Sequence, residues 1–479
     1  MPYFLPTDIN TISILPEIIL LVLGTAFLFC RKIAVKLPRL FSTLSILTIL
    51  CFLIFLPFFW NKEIIGFSGD IYRDNLALVF HFIILLAVLL TLIFSRNFPT
   101  GEESAGEYYF LILISLAGMT IMVISLNLLI VFLGLEILSL SLYILTGFFR
   151  NRHEGMEASV KYFLLGSFSS AVFLLGLAFI YGATGQTNID LSYPSTVTPF
   201  DSLPLLYIGI ILVIAGLGFK IAAAPFHMWA PDIYEGAPAG IAALLSVAPK
   251  VAAFAVIYNI GMVMNFFTTD AFIATIIIMS IASMIIGNFA ALKQSNLIRM
   301  LAYSGIAQIG YILISLIALP QGGGSAMLFY LFTYIFMNMG AFGIAVLLTK
   351  EKGGKINIDD LAGLAASRPQ LAFAMSIFLI SLAGIPPTGG FFAKFYVFQM
   401  GLEAGYLWVV IVAIIATIVS LYYYFRIIVY MYMNENVDSL FARGKKFSLS
   451  QVVLMICAFL LLLFGIFSEQ LINISTIIL

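Results

Sequence analysis

Apolar runs of about twenty residues, separated by short polar stretches, repeat from one end of the chain to the other. They are centred near residues 21, 49, 85, 117, 138, 171, 214, 248, 281, 308, 337, 384, 417 and 462. A helix needs about 20 apolar residues to cross a hydrocarbon core about 30 Å thick. The pattern therefore predicts an all-α polytopic membrane protein with 14 transmembrane helices and no room for a soluble domain. The opening "MPYFLPTDINTISILPEIILL" has no basic leader and no small-residue cleavage site follows, so the first run is expected to be retained as a helix.

Composition agrees with the pattern. Of 479 residues, 62% are hydrophobic and 10% charged, and the mean hydropathy of +1.11 excludes an ordinary soluble domain. The three cysteines, Cys30, Cys51 and Cys457, form neither a Cys-x-x-Cys pair nor an iron–sulfur run. They read as small packing residues, and no redox centre is expected in this chain.

The net charge is zero, but the charges are unevenly placed. Most of the 23 lysines and arginines lie in loops after odd-numbered runs or on their flanks, among them Arg31, Lys36, Arg150, Lys293, Lys352, Arg443, Lys445 and Lys446. Loops after even-numbered runs hold only Lys62 and Arg73. The positive-inside rule then puts the odd loops in the cytoplasm and both termini on the opposite side.

Three lysines remain, Lys220, Lys250 and Lys394, and all lie within apolar runs. Glu136, in "NLLIVFLGLEILSLSLYILTGFF", is the one acid placed as deep. A lysine at the centre of a bilayer helix costs roughly 2.5 to 3.5 kcal/mol on insertion scales, so such residues mark functional sites unless they only fix packing. One glutamate cannot pair with three lysines. A lysine with the ordinary pKa of about 10.4 releases its proton too rarely near neutrality to relay it. Lost hydration weakens a lysine's hold on its proton and a nearby carboxylate strengthens it, so pairing can act as a switch.

Each buried lysine has proline near it. The seventh run reads "FKIAAAPFHMWAPDIYEGAPAG", with Pro225 after Lys220, and the twelfth reads "SLAGIPPTGGFFAKFYVF", with Pro386, Pro387, Gly389 and Gly390 before Lys394. Interrupted helices are tolerated at membrane depth where neighbours or cavity water satisfy the freed backbone, and a matched pair of them points to a transport pathway. Simple proline kinks are the alternative. The spacing of the two breaks suggests two repeats of about five helices, although lysine precedes one break and follows the other. Pro249 and Lys250 adjoin in "LLSVAPKVAAF".

His227 follows the first break and is suited to a water chain or to a hydrogen-bonded helix end. His81 and His153 lack the partners of a metal site, so no metal is expected. "QGGGS", residues 321 to 325, reads as a flexible connection and not as a phosphate loop.

The stretches "GFKIAAAPFHMWAPDIYEGAP", "ALKQSNLIRMLAYSGIAQIGY" and "GIPPTGGFFAKFYVF" closely resemble the N-subunit family of bacterial proton-pumping NADH:quinone oxidoreductase, respiratory complex I. The resemblance runs from about residue 12 to about 475, and the block "PFHMWAPDIYEGAP" is more similar to that subunit than to its two antiporter-like relatives. The end of the chain soon after the last run is expected of the N subunit, since the largest relative carries a long lateral helix there.

The resemblance implies two inverted five-helix repeats with helices 7 and 12 broken. It places a three-helix segment at 1–108, the first repeat (helices 4–8) at 109–262, the second (helices 9–13) at 263–433, and the last helix at 434–479. It further implies that Glu136 matches the family's helix-5 glutamate and Lys220 its helix-7 lysine, while Lys250 and Lys394 match the helix-8 and helix-12 lysines. NADH, FMN, iron–sulfur clusters and quinone are then expected in partner subunits, and the partners are the adjacent membrane subunits of the complex in a bacterial inner membrane. The expected function is proton translocation through a Glu136, Lys220, Lys250 and Lys394 relay, with His227 a possible member, driven by redox chemistry elsewhere. An Mrp-type Na⁺/H⁺ antiporter subunit is the alternative, and a purely structural scaffold would leave the buried lysines unexplained.

Overall fold

A backbone surrounded by lipid must satisfy its own hydrogen bonds, and a leucine-, isoleucine- and phenylalanine-rich run does so as a helix. The computed structural model describes residues 10–96, 105–189, 203–263, 270–434 and 448–478, and is almost entirely helical. Residues 1–9 and the basic positions Arg443, Lys445 and Lys446 lie outside the described residues.

In chain order the helices are α1 (Leu15–Phe29), α2 (Arg31–Lys36), α3 (Pro38–Phe55), α4 (Asn75–Phe94), α5 (Ala105–Ile124), α6 (Leu128–Thr146), α7 (His153–Thr184), α8 (Leu203–Ile221), α9 (Trp229–Gly236) and α10 (Ala239–Val263). There follow α11 (Asp270–Leu292), α12 (Leu297–Ile317), α13 (Gly323–Lys352), α14 (Leu364–Ser367), α15 (Pro369–Ala383), α16 (Gly389–Glu403), α17 (Leu407–Met433), α18 (Leu449–Ile466) and α19 (Ser468–Ile478).

Among the described residues, 13 helices are long and apolar enough to cross a membrane. The twelfth expected run is instead two shorter helices, α15 and α16, separated by the Gly384–Thr388 break. Proline opens α1, α3 and α15, where its missing N–H costs nothing. Asn127 and Asn296 cap α6 and α12 by accepting from the N–H groups of Leu129 and Arg299. A reading of the chain as all helix omitted one element: β1 (Ile64–Gly66) and β2 (Ile71–Arg73) form an antiparallel hairpin with Ile64 opposite Arg73. Strands of three residues are too short to impose a visible alternation on the sequence.

The chain forms two compact units. The first takes in α1 to α8 and the later part of α10, and the second takes in α9, the start of α10 and α11 to α19. Within the first, α7 packs along α8, and α5 along α6 and α1. Gly176 and Gly209 face each other across the α7–α8 contact: a Cβ on Gly176 would come within 2.6 Å of the Gly209 carbonyl oxygen. Small residues of this kind let membrane helices approach closely. Within the second unit, α13 is buried on nearly every side and packs against α12, α15, α16 and α18.

Many large side chains point outward, including Phe168 on α7, Ile418 on α17 and Phe459 on α18. Apolar cover on this scale needs an apolar solvent, and the chain is a multi-pass membrane protein.

Candidate functional site

In the first unit the site starts from the periodicity of α6. Residues three and four apart share a helix face, so Glu136, Ser139 and Tyr143 line one stripe. The Ser139 hydroxyl donates to the Leu135 carbonyl and accepts from the Lys220 ammonium at 2.5 Å. One serine thus uses its proton on its own helix and offers a lone pair to the lysine. The half-buried Glu136 accepts from the Ser170 hydroxyl of α7. Among the described residues no ion pair joins Glu136 to Lys220 directly.

Lys220 is 2% exposed and stands in the last turn of α8, where the unpaired carbonyls of a helix end favour a cation. The rings of Tyr143, Tyr162 and Phe219 lie 5.5, 5.6 and 5.8 Å from its ammonium, within reach of their π-faces. The break follows at once: Ala222 has a φ of 58°, and α9 does not begin until Trp229.

The second unit repeats the chemistry from the other side of a break. Lys394, on α16, reaches back to the end of α15 and donates to the carbonyls of Leu382 at 3.0 Å and Ala383 at 3.3 Å. Those carbonyls belong to the final turn of a helix and lack helical partners. The Tyr311 ring lies 4.5 Å from the same ammonium. Gly384, with a φ of 79°, turns the chain there, and a Cβ on it would meet Lys394 Cδ at 2.9 Å. Lys220 and Lys394 therefore each stand at the carboxyl end of an interrupted helix, although one precedes its break in sequence and the other follows it.

A polar network continues from Leu382. Gln308 Nε2 donates to that carbonyl at 2.9 Å and to the Tyr424 hydroxyl at 3.2 Å, while Gln308 Oε1 accepts from Tyr330. Ser304 bonds Tyr424 at 2.5 Å. Every member is buried, so each hydroxyl and amide depends on the others for its hydrogen bonds.

Lys250 lies within α10 and is 1% exposed, and its ammonium has no hydrogen-bond partner among the described residues. Pro249 removes the N–H that the Leu245 carbonyl would use, and the Tyr234 hydroxyl supplies a replacement at 2.9 Å. His227 is buried in the segment between α8 and α9 with Nδ1 unpartnered. Nearby, Arg299 Nη1 binds Asp232 at 2.6 Å and Glu235 at 3.0 Å, and Lys355 binds Glu235 at 3.0 Å, which fixes the far end of α9.

Sequence reasoning singled out Glu136 and the three lysines but missed Ser139, Ser170, Tyr143, Tyr162 and Tyr311. The Glu136, Ser139 and Tyr143 spacing on one apolar run was the available signal.

A many-span fold with lysines held at interrupted helices defines an antiporter-like membrane protein. The family described as "NADH:quinone oxidoreductase/Mrp antiporter, TM" matches residues 125–420. The chain belongs to it, and within it to the NADH-quinone oxidoreductase subunit N proteins. It is 42% identical over 436 residues to NADH-quinone oxidoreductase subunit N of Trichlorobacter lovleyi, covering 89% of this chain and 88% of that one. It is 39% identical to NADH-quinone oxidoreductase subunit N 2 of Koribacter versatilis, covering 98% of this chain and 97% of the relative. A chain of respiratory complex I from Thermus thermophilus superposes with a TM-score of 0.81 at 29% identity, covering 96% of this chain and 98% of that one. A chain of the Mrp complex from Dietzia sp. has the same fold, with a TM-score of 0.86 at 22% identity, covering 98% of this chain and 97% of that one.

Proposed function

We propose that this chain is the proton-translocating N subunit of NADH:quinone oxidoreductase, and that it moves protons from the cytoplasm to the outer side of a bacterial inner membrane. It acts as one subunit of a redox-driven translocase of the EC 7.1.1 class, next to other antiporter-like and small membrane subunits, and both of its termini face outward. NADH, FMN, iron–sulfur clusters and quinone belong to its partners. The observation that carries the reading is that Lys220 and Lys394 are each buried at the carboxyl end of an interrupted helix. A helix end and a few neutral oxygens or aromatic faces hold a protonated lysine without locking it into an ion pair. Glu136 biases Lys220, Lys220 exchanges a proton with Lys250, and Lys394 serves an exit or the next subunit, with His227 available to a connecting water chain.

Fourteen helices in two inverted repeats accompany this reading, with a three-helix segment at 1–108, repeats at 109–262 and 263–433, and a last helix from 434. The inversion is supported by two matching bridges: Asn127, the cap of α6, pairs with Asn188, and Asn296, the cap of α12, pairs with Asn357 at the same separation along the chain. The first pair adjoins an even-numbered loop and the second an odd-numbered one, as inverted repeats require.

The test is Glu136→Gln in the assembled complex. The amide still accepts from Ser170 but carries no charge, so NADH oxidation by an intact complex is expected to move protons at a tenth of the normal ratio or less. A normal ratio rejects the relay. The Mrp-type reading has the shared fold behind it and predicts co-purification with antiporter subunits alone, free of flavin and iron–sulfur proteins.

A further inference from the structure

In the second unit, α18 carries no member of the lysine sites, yet it presses on the break that holds Lys394. Its buried positions, from Leu454 through Leu461 to Phe464 and Gly465, recur three and four apart and form one stripe. The stripe packs against α13, α15 and α16. Near its end the Phe464 ring meets those of Phe332 and Phe336 on α13, with centroids 5.2 and 5.1 Å apart, which fixes the height of α18.

The next residue, Gly465, lies directly against the Gly384–Thr388 break. A Cβ built on it would overlap the Pro387 carbonyl oxygen and come within 2.6 Å of the Pro387 carbonyl carbon and 3.0 Å of that of Thr388. The contact recurs from the other side: a Cβ on Gly389, the first residue of α16, would meet Phe464 Cβ at 2.9 Å and the Leu461 carbonyl oxygen at 3.3 Å. A glycine inside a helix weakens it relative to alanine, and here the missing side chain admits another stretch of backbone. The atoms facing Gly465 are main-chain atoms, which have no rotamer to swing aside.

The break in turn places Lys394. The Gly390 N–H donates to the Ser381 hydroxyl at 3.1 Å, which ties the start of α16 to α15. Lys394 follows Gly390 by about one turn, and its ammonium reaches the Leu382 and Ala383 carbonyls at 3.0 and 3.3 Å. A methyl on Gly465 needs about 1 Å or more of extra separation to stand at an ordinary van der Waals distance. With α18 held by Phe464, that separation falls on the break, and the same displacement takes the ammonium beyond the roughly 3.5 Å reach of a hydrogen bond.

We propose that Gly465 is a positioning residue for Lys394: α18 seats the interrupted helix, and the seat holds the lysine against the carboxyl end of α15. The consequence for pumping rests on the translocation reading above, whereas the consequence for the place of Lys394 rests on packing alone.

The experiment compares the intact complex with its Gly465→Ala variant by electron cryo-microscopy and by protons moved per NADH oxidised. The control is Gly182→Ala, a helical glycine whose added methyl would find its nearest neighbour at 3.5 Å. In Gly465→Ala the Lys394 ammonium is expected to lose both carbonyls and the proton ratio to fall about ten-fold, while Gly182→Ala keeps both. If Gly465→Ala fails to assemble, Gly389→Ala, with its milder contact on the same seat, decides by the same two readings with an expected loss of about three-fold. Lys394 still bonded to the Leu382 and Ala383 carbonyls in the variant that decides would overturn the proposal, as would an equal loss of pumping in Gly182→Ala. Normal pumping by Lys394→Met would instead reject the relay, and the position of the Lys394 ammonium in the glycine variants would still decide whether α18 is its seat.

Discussion

The Lys220 ammonium donates to the Ser139 hydroxyl at 2.5 Å, one turn along the helix from Glu136. This is the hydrogen bond that fixes the lysine against α6, and in the proposed relay its strength would set how long a proton rests there. A hydrogen bond to a charged group contributes about 1.5 to 3 kcal/mol. Ser139→Ala removes it, so the complex is expected to assemble while protons moved per NADH oxidised fall about ten-fold. Ser139→Thr keeps the hydroxyl and should restore most of the ratio. Equal ratios in all three proteins would show that the serine is only a packing residue.

Gly384 is expected to be irreplaceable for two independent reasons. Its φ of 79° is strained for any residue with a side chain, and an added methyl would meet Lys394 Cδ at 2.9 Å. Backbone strain of this kind costs about 1 to 3 kcal/mol. Gly384→Ala should therefore lower the thermal unfolding midpoint of the purified complex and reduce pumping together. Gly353, also at positive φ but with nothing near it, is the control: Gly353→Ala carries the strain alone and should leave pumping intact.

The spans, the two breaks and the four charged candidates were legible in the sequence because each carries a large cost. An apolar run needs lipid, a buried lysine needs a partner, and a proline removes a helix bond. Serines and threonines carry no such signal, since in apolar helices many bond only to their own preceding turn, as Ser45 does to Phe41 and Thr146 to Leu142. Ser139 makes the same bond to Leu135, and only the packing of α8 against its neighbours distinguishes it. The likeness between Lys220 and Lys394 was hidden for a related reason: their order relative to the breaks is reversed, and only in three dimensions do both meet the carboxyl end of a helix.

Lys394→Arg tests whether that position carries a proton or only a charge. Arginine keeps the cation and has donors for the Leu382 and Ala383 carbonyls, but it does not release its proton near neutrality. The expected result is an assembled complex with pumping reduced ten-fold or more, close to Lys394→Met. Pumping by the arginine variant at the normal ratio, with failure of the methionine variant, would make Lys394 an electrostatic element.

Lys250 is the sharpest case, because its ammonium is 1% exposed and has no hydrogen-bond partner among the described residues. Pro249 beside it already costs α10 a helix bond that Tyr234 repairs. In the proposed relay a residue so placed serves proton exchange rather than stability. Lys250→Ala is therefore expected to leave the thermal stability of the complex unchanged or slightly raised, since an uncharged side chain removes a buried cation. The same variant should strand the proton on Lys220 and stop transfer through this subunit. Lys250→His, which exchanges a proton near neutral pH, should retain part of the ratio. The measurement is protons moved per NADH oxidised in vesicles containing proven intact complex. An alanine variant that assembles and pumps at the wild-type ratio would remove Lys250 from the relay.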